Sequence, residues 1–116
     1  GPDGQPGITV TTQSGPAEIA LAQHLADTGA IFYGAWWCPH CQEQKQLFGQ
    51  QAAQIINYVE CSLPDGQGQT QTCQEAEITG YPTWEINGER FSGRQSLEDL
   101  AQLTGYEGPM DFQNSL

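Results

Sequence analysis

Four cysteines carry most of the chemistry that this sequence can offer: Cys38, Cys41, Cys61 and Cys73. The tight pair lies in Cys38-Pro39-His40-Cys41, directly behind Phe32-Tyr33-Gly34-Ala35-Trp36-Trp37. Two thiols at that spacing can close a small disulfide and open it again, which makes them candidates for redox exchange and not merely a staple. The apolar run ahead of the pair reads as a buried strand, and the polar segment behind it, Gln42 to Gln54, reads as a helix. A thiol at a strand-to-helix junction meets unpaired N–H groups at the positive end of the helix dipole. That setting favours the thiolate, the reactive form.

Cys61 and Cys73 form a looser pair around a Pro/Gly/Gln loop, Leu63 to Gln69. Four cysteines allow three connectivities, and the spacing favours Cys38–Cys41 with Cys61–Cys73. Closing the looser loop would stabilise the fold by roughly 3 kcal/mol in the chain-entropy picture. Its other reading is a relay that passes electrons between Cys38–Cys41 and a further site. An even cysteine count in a short chain suits an oxidising compartment. A zinc site would need four ligands at workable spacing, and Cys61 with Cys73 do not make a second C-x-x-C, so no metal is expected.

The elements that must position these groups can be read along the chain. With 116 residues there is room for one domain and one substantial core. The expected division is a linker over 1–13, a folded domain over 14–105 and a tail over 106–116. Ile8 to Thr12 reads as a short edge strand. Ser14 is the expected N-cap of a first helix with Pro16 in its first turn; Ile19, Leu21, Ala22, Leu25 and Ala26 supply its apolar stripe, and Gly29 stops it. Residues 30–36 read as a central strand covered on both faces. Leu47, Phe48 and Ala52 are the inward residues of the helix behind Cys38, and Pro39 fits its first position. Ile55 to Cys61 is the next strand and Thr72 to Ile78 a short helix. Thr79-Gly80-Tyr81-Pro82-Thr83 is a turn, and the strand Thr83 to Ile86, with Trp84 in the core, pairs through an Asn87-Gly88 hairpin with Arg90 to Ser92. Ser96 caps a last helix with Leu97, Leu100, Ala101 and Leu103 inward, ended by Gly105. His24 reads as a surface or packing residue of the first helix.

Charge narrows the partners. Three Lys plus Arg stand against fourteen Asp plus Glu, a formal net charge of −11. That balance argues against nucleic acid or an anionic membrane surface and favours solubility. No apolar run reaches the length of a membrane span, and no signal peptide is visible. The opening Gly1-Pro2-Asp3-Gly4-Gln5-Pro6-Gly7 lacks a starting Met and reads as a linker or cloning remnant, so we expect a piece of a longer protein or a mature form.

Together, Ala35-Trp36-Trp37-Cys38-Pro39-His40-Cys41, Gly80-Tyr81-Pro82-Thr83 and the Asn87-Gly88 hairpin with its following helix resemble the thioredoxin superfamily over residues 17–105. The resemblance implies an α/β thioredoxin-like fold: a central mixed β-sheet flanked by helices, with the C-x-x-C at a helix N-terminus. It makes Cys38 the nucleophile and Cys41 the resolving thiol. It places a cis bond before Pro82, with Pro82 facing the active disulfide and the backbone of Tyr81 pairing with a client peptide. Trp37 matches the tryptophan before the first cysteine and would line the client surface. Two consecutive indoles leaving a strand cannot both be core, so at least one of Trp36 and Trp37 should be exposed. His40 beside Cys38 stabilises the thiolate and hence the reduced form, which makes the disulfide more oxidising. Cys-Pro-His-Cys is the motif of the DsbA family, whose potential lies near −120 mV against about −270 mV for thioredoxin. One departure points the same way: Phe32 stands where thioredoxins keep a buried acid beside the resolving cysteine, with Glu60 a partial substitute on the next strand.

The short form, the motif, the extra cysteine pair and the Gln-rich helix look most like the thioredoxin-like domain fused to bacterial and plant homologues of vitamin K epoxide reductase. That resemblance implies a disulfide-forming enzyme. Reduced client proteins would give electrons to Cys38–Cys41, which would pass them to a VKOR-type membrane domain in the same polypeptide. A quinone would be bound in that membrane part, with no cofactor in this chain. It further implies an extracytoplasmic location, periplasm or thylakoid lumen, and a monomeric isolated domain. The alternatives are a free-standing reductase or isomerase of the same fold, and a non-enzymatic interaction domain with structural disulfides.

Overall fold

The computed structural model describes residues 10–114. Helix α1 (Pro16–Asp27) leads into strand β1 (Ile31–Gly34), then α2 (Pro39–Phe48), α3 (Gln50–Ala53), β2 (Asn57–Glu60), α4 (Gln71–Glu75), β3 (Thr83–Ile86), β4 (Glu89–Ser92) and α5 (Leu97–Leu103). The strands form one mixed sheet in the order β2-β1-β3-β4. β1 runs parallel to β2, with Phe32 opposite Tyr58 and Gly34 opposite Glu60. β1 and β3 are antiparallel, with Phe32 opposite Trp84, and the Asn87-Gly88 turn makes β3–β4 a hairpin. Both turn residues have positive φ, as a tight hairpin turn demands.

Strand alternation divides the interior in two. Phe32, Trp84 and Ile86 pack with Leu21, Leu25, Phe48, Ala52 and Leu100 into the main core. Tyr33 points the other way, into a smaller cluster with Cys61, Cys73 and Ile78. β1 is thus covered on both faces, as its continuous apolar run predicts. Trp84 is fully buried, its indole N–H donating to Gln44 Oε1. Ser96 caps α5 by accepting from the Asp99 N–H, and Gly105 follows the helix with φ +67°.

Several expectations need correction. Of the edge strand expected over Ile8–Thr12, the first two residues lie outside the described part, and Val10–Thr12 is not a strand. Thr11 and Thr12 instead donate their backbone N–H groups to Gln46 Oε1, so side-chain bonding to α2 replaces sheet pairing. The N-cap of α1 is Gly15, whose N–H donates to Glu18 Oε1. Ser14 is used elsewhere: its Oγ donates to the Phe48 carbonyl and accepts from the Ala52 N–H. That bridge sits where the expected single helix 42–54 breaks into α2 and α3, at Gly49 (φ +91°). Any Cβ at Gly49 would lie 2.6 Å from Ser14 Oγ and 2.7 Å from the backbone of Gln13 and Ser14. Ile19 and Leu103 are exposed rather than inward, and buried Glu18 takes part of the face assigned to Ile19. α4 stops short of Ile78 because Glu77 turns left-handed (φ 60°), which returns Ile78 to the smaller cluster. The segment after α5 folds back, with the Gln113 and Asn114 N–H groups both donating to Glu18 Oε2.

Candidate active site

Cys38 is the N-cap of α2 and Pro39 its first residue, where a missing N–H costs nothing. The turn leaving β1 is fixed from both sides. The Cys38 N–H donates to the Ala35 carbonyl, and the Trp36 N–H donates to Glu60 Oε2, which also accepts from the Ser62 N–H. Cys38 retains 6% of its surface, whereas Cys41, one turn into the helix, has none. Both thiols are free, unlike Cys61 and Cys73, which are joined. The outer sulfur is therefore the more accessible of the two, and the inner one is closed off from solvent.

The Tyr81–Pro82 bond is cis. Pro82 is buried, and the Tyr81 carbonyl faces Cys38 Sγ at 3.7 Å. Tyr81 also packs edge-on against the Trp37 ring at 5.9 Å. Trp37 is 44% exposed and Trp36 half-buried, so the tandem indoles divide as expected. Their N–H groups hold the loop after β2: Trp37 Nε1 donates to Ser62 Oγ and Trp36 Nε1 to the Leu63 carbonyl. The Cys61–Cys73 bond ties the base of that loop to α4. Trp36, Trp37, Tyr81 and exposed Leu63 thus give the surface beside Cys38 an aromatic and apolar character.

The electrostatics differ for the two thiols' neighbours. Burial pushes the Cys41 thiol up to about 12, helped by the adjacent Cys38 sulfur, while the Ala35 backbone and the charge of Lys45 pull it back. Phe32 offers no base: it is fully buried, stacked on Trp84 and edge-on to Tyr58. Glu60 accepts from the Tyr58 hydroxyl with Oε1 and holds the 36–38 turn with Oε2. His40 is exposed, and its Nδ1 lies 3.1 Å from Glu43 Oε1, which also accepts from Arg94 Nη1 at 2.8 Å. The His40 bond, with the Arg94 charge, holds the Glu43 carboxyl below its usual range. His24 packs on Tyr106 and bonds the Thr104 carbonyl, away from this chemistry.

Sequence reasoning passed over three residues here. Ser62, the acceptor for Trp37, carried no local signal. Glu43 stands three residues after His40, the helical spacing that brings side chains together. Lys45 is buried on α2, four residues after Cys41, at a position where a helix repeats the same face.

The thioredoxin family profile matches residues 18–104, and the chain belongs to that family. It is 48% identical over 101 residues to the thiol-disulfide oxidoreductase LTO1 of Arabidopsis thaliana, a match covering 84% of this chain and 27% of the plant protein. It is 32% identical over 95 residues to a thioredoxin domain-containing protein 5 homolog of Drosophila melanogaster (77% of this chain, 23% of that one). It is 30% identical over 94 residues to protein disulfide-isomerase A2 of Mus musculus (72% and 18%). The chain therefore spans about a quarter, or less, of the length of these relatives. What fold and relatives define is a thioredoxin-family domain, with the free Cys38 and Cys41 thiols at the start of α2.

Proposed function

We propose that this domain works in the oxidising direction, forming disulfides in client proteins through Cys38–Cys41. A client thiolate attacks Cys38 Sγ of the closed pair, and Cys41 leaves as a thiolate that takes up a proton. A second client thiolate attacks the client sulfur of the mixed disulfide, and Cys38 leaves. The client gains one disulfide, and the domain now holds the two electrons, with Cys41 protonated and Cys38 released as a thiolate. For recharging, Cys38 attacks a disulfide of a VKOR-type membrane domain in the same polypeptide. Cys41 closes the pair, and the electrons continue to a quinone held by that membrane part. The site accordingly works in an extracytoplasmic compartment, periplasm or thylakoid lumen.

The observation that carries this reading is the burial of Cys41 with Phe32 in place of an acid. A reductase must deprotonate its resolving thiol to release each client, whereas the proposed oxidase deprotonates it only at recharging, after the client has left. With that thiol held near 12, escape from a mixed disulfide back to the closed pair is slow, so a second client thiol can finish the exchange. The likeness to a protein named thiol-disulfide oxidoreductase supports thiol exchange in either direction, while the likeness to a protein disulfide-isomerase supports isomerisation as the second reading. The test mixes the oxidised domain with a reduced two-cysteine peptide. We expect one peptide disulfide per domain, lost in Cys38→Ser. A Cys38→Ser domain that oxidises the peptide as fast as wild type would overturn the assignment.

A further inference from the structure

The sequence holds a single lysine, Lys45, in a chain with fourteen Asp and Glu. A lone lysine in so acidic a protein would ordinarily lie in solvent, yet Lys45 is only 4% exposed. It lies one helical turn beyond Cys41 on α2, and its Nζ stands 3.8 Å from the centre of the Tyr58 ring. That ring adjoins the inner sulfur at Gly34: a Cβ there would lie 2.9 Å from Tyr58 Cε1 and 3.1 Å from Cys41 Sγ. The absence of a side chain at Gly34 thus lets ring and sulfur flank one point of β1, with the ammonium over the ring. The Tyr58 hydroxyl donates to Glu60 Oε1 at 2.8 Å, which anchors the ring from β2. The groups around Cys41 are then Cys38 at the N-cap of α2, Lys45 on α2, Tyr58 on β2, and from β1 Phe32 and Gly34, neither of which titrates; Glu60 enters through its bond to Tyr58.

We propose that Lys45, positioned by the Tyr58 face, is the fixed positive charge that stabilises the Cys41 thiolate during exchange. Lys45 keeps its own proton throughout. When Cys41 attacks a mixed disulfide, its proton passes to solvent, the new bond joins Cys41 Sγ to Cys38 Sγ, and the other sulfur leaves with the electron pair of the broken bond. When Cys41 is itself the leaving group, the same charge receives it. The inference rests on thiol exchange at this site and holds for either direction of electron flow. It differs from a buried carboxylate base in acting through charge alone.

A coloured aryl disulfide resolves the two steps. Reduced domain first releases one aryl thiolate as Cys38 is capped, then a second as Cys41 attacks Cys38 Sγ and closes the pair. The Lys45 charge holds the Cys41 thiol down, as an opposite charge does, so its removal lets the thiol rise further. Loss of thiolate is partly offset by the higher nucleophilicity of a more basic sulfur, so a tenfold loss of thiolate gives a roughly threefold slower second step. We expect Lys45→Met to slow the second phase by up to about threefold at neutral pH and move its pH profile upward, leaving the first phase within about twofold. Lys45→Arg should restore both, and Tyr58→Leu, which removes the ring under the ammonium, should follow Lys45→Met. A folded Lys45→Met domain with an unshifted second-phase pH profile overturns the proposal, as does a wild-type profile in Tyr58→Leu should Lys45→Met fail to fold. Wild-type domain that never releases the second thiolate would overturn the exchange reading itself, and this inference with it.

Discussion

Glu43 stands between His40 and Arg94, and that position bears on the proposed action of His40 on the Cys38 sulfur. His40 and Arg94 share the same carboxylate oxygen, and the carboxyl is held below its usual range by them. Glu43 therefore stays ionised at working pH and offsets part of any positive charge His40 carries toward Cys38. Removing that counter-charge should strengthen His40 as a thiolate-stabilising group and make the pair more oxidising. Exposed ion pairs are screened by solvent and contribute little, so Glu43→Gln should raise the reduction potential only slightly. Glutathione titration of wild type against the variant measures it, and a fall in potential would contradict this arrangement. The residues of the candidate site were legible in the sequence: Cys38, Cys41, His40 and Pro82 stand in short, specific motifs. Glu43, Ser62 and Lys45 were not, because their roles arise from what faces them across α2 and the sheet.

At the scale of elements, the sequence disclosed the order of helices and strands but not where α2 would end. Leu47, Phe48 and Ala52 all turn inward as their spacing predicts, and the apolar rhythm runs unbroken through Gly49. The break comes from Gln13 and Ser14, some 34–38 residues away in sequence, whose backbone and hydroxyl press on Gly49 and bond the ends of both helices. Local periodicity carries no information about such a contact. Glu18 is similar: its burial makes sense only once the Gln113 and Asn114 N–H groups arrive from the far end of the chain. Gly49→Ala must adopt a positive φ and displace backbone, so we expect a loss of about 2 kcal/mol or more in urea unfolding. Its Cys38–Cys41 potential should be unchanged, since the N-terminal turn of α2 is held by Ala35 and Glu60 instead. A Gly49→Ala variant as stable as wild type would show that the 13–14 segment yields freely.

Across the whole molecule, the two faces of the sheet do different work. The main core, built around Phe32 and Trp84, fixes α2 and leaves Cys41 dry. The smaller cluster, closed by Cys61–Cys73, supports the loop that both tandem indoles grip, and so shapes the surface beside Cys38. A desolvated inner thiol, an apolar surface beside Cys38 and no acid at Phe32 are the features on which the proposed oxidising direction rests. The reduction potential of Cys38–Cys41 tests that claim most directly. Equilibrated in glutathione buffers with thiol trapping as readout, the pair should lie closer to about −120 mV than to about −270 mV. A value near −270 mV would place the domain with the reductases and contradict the account.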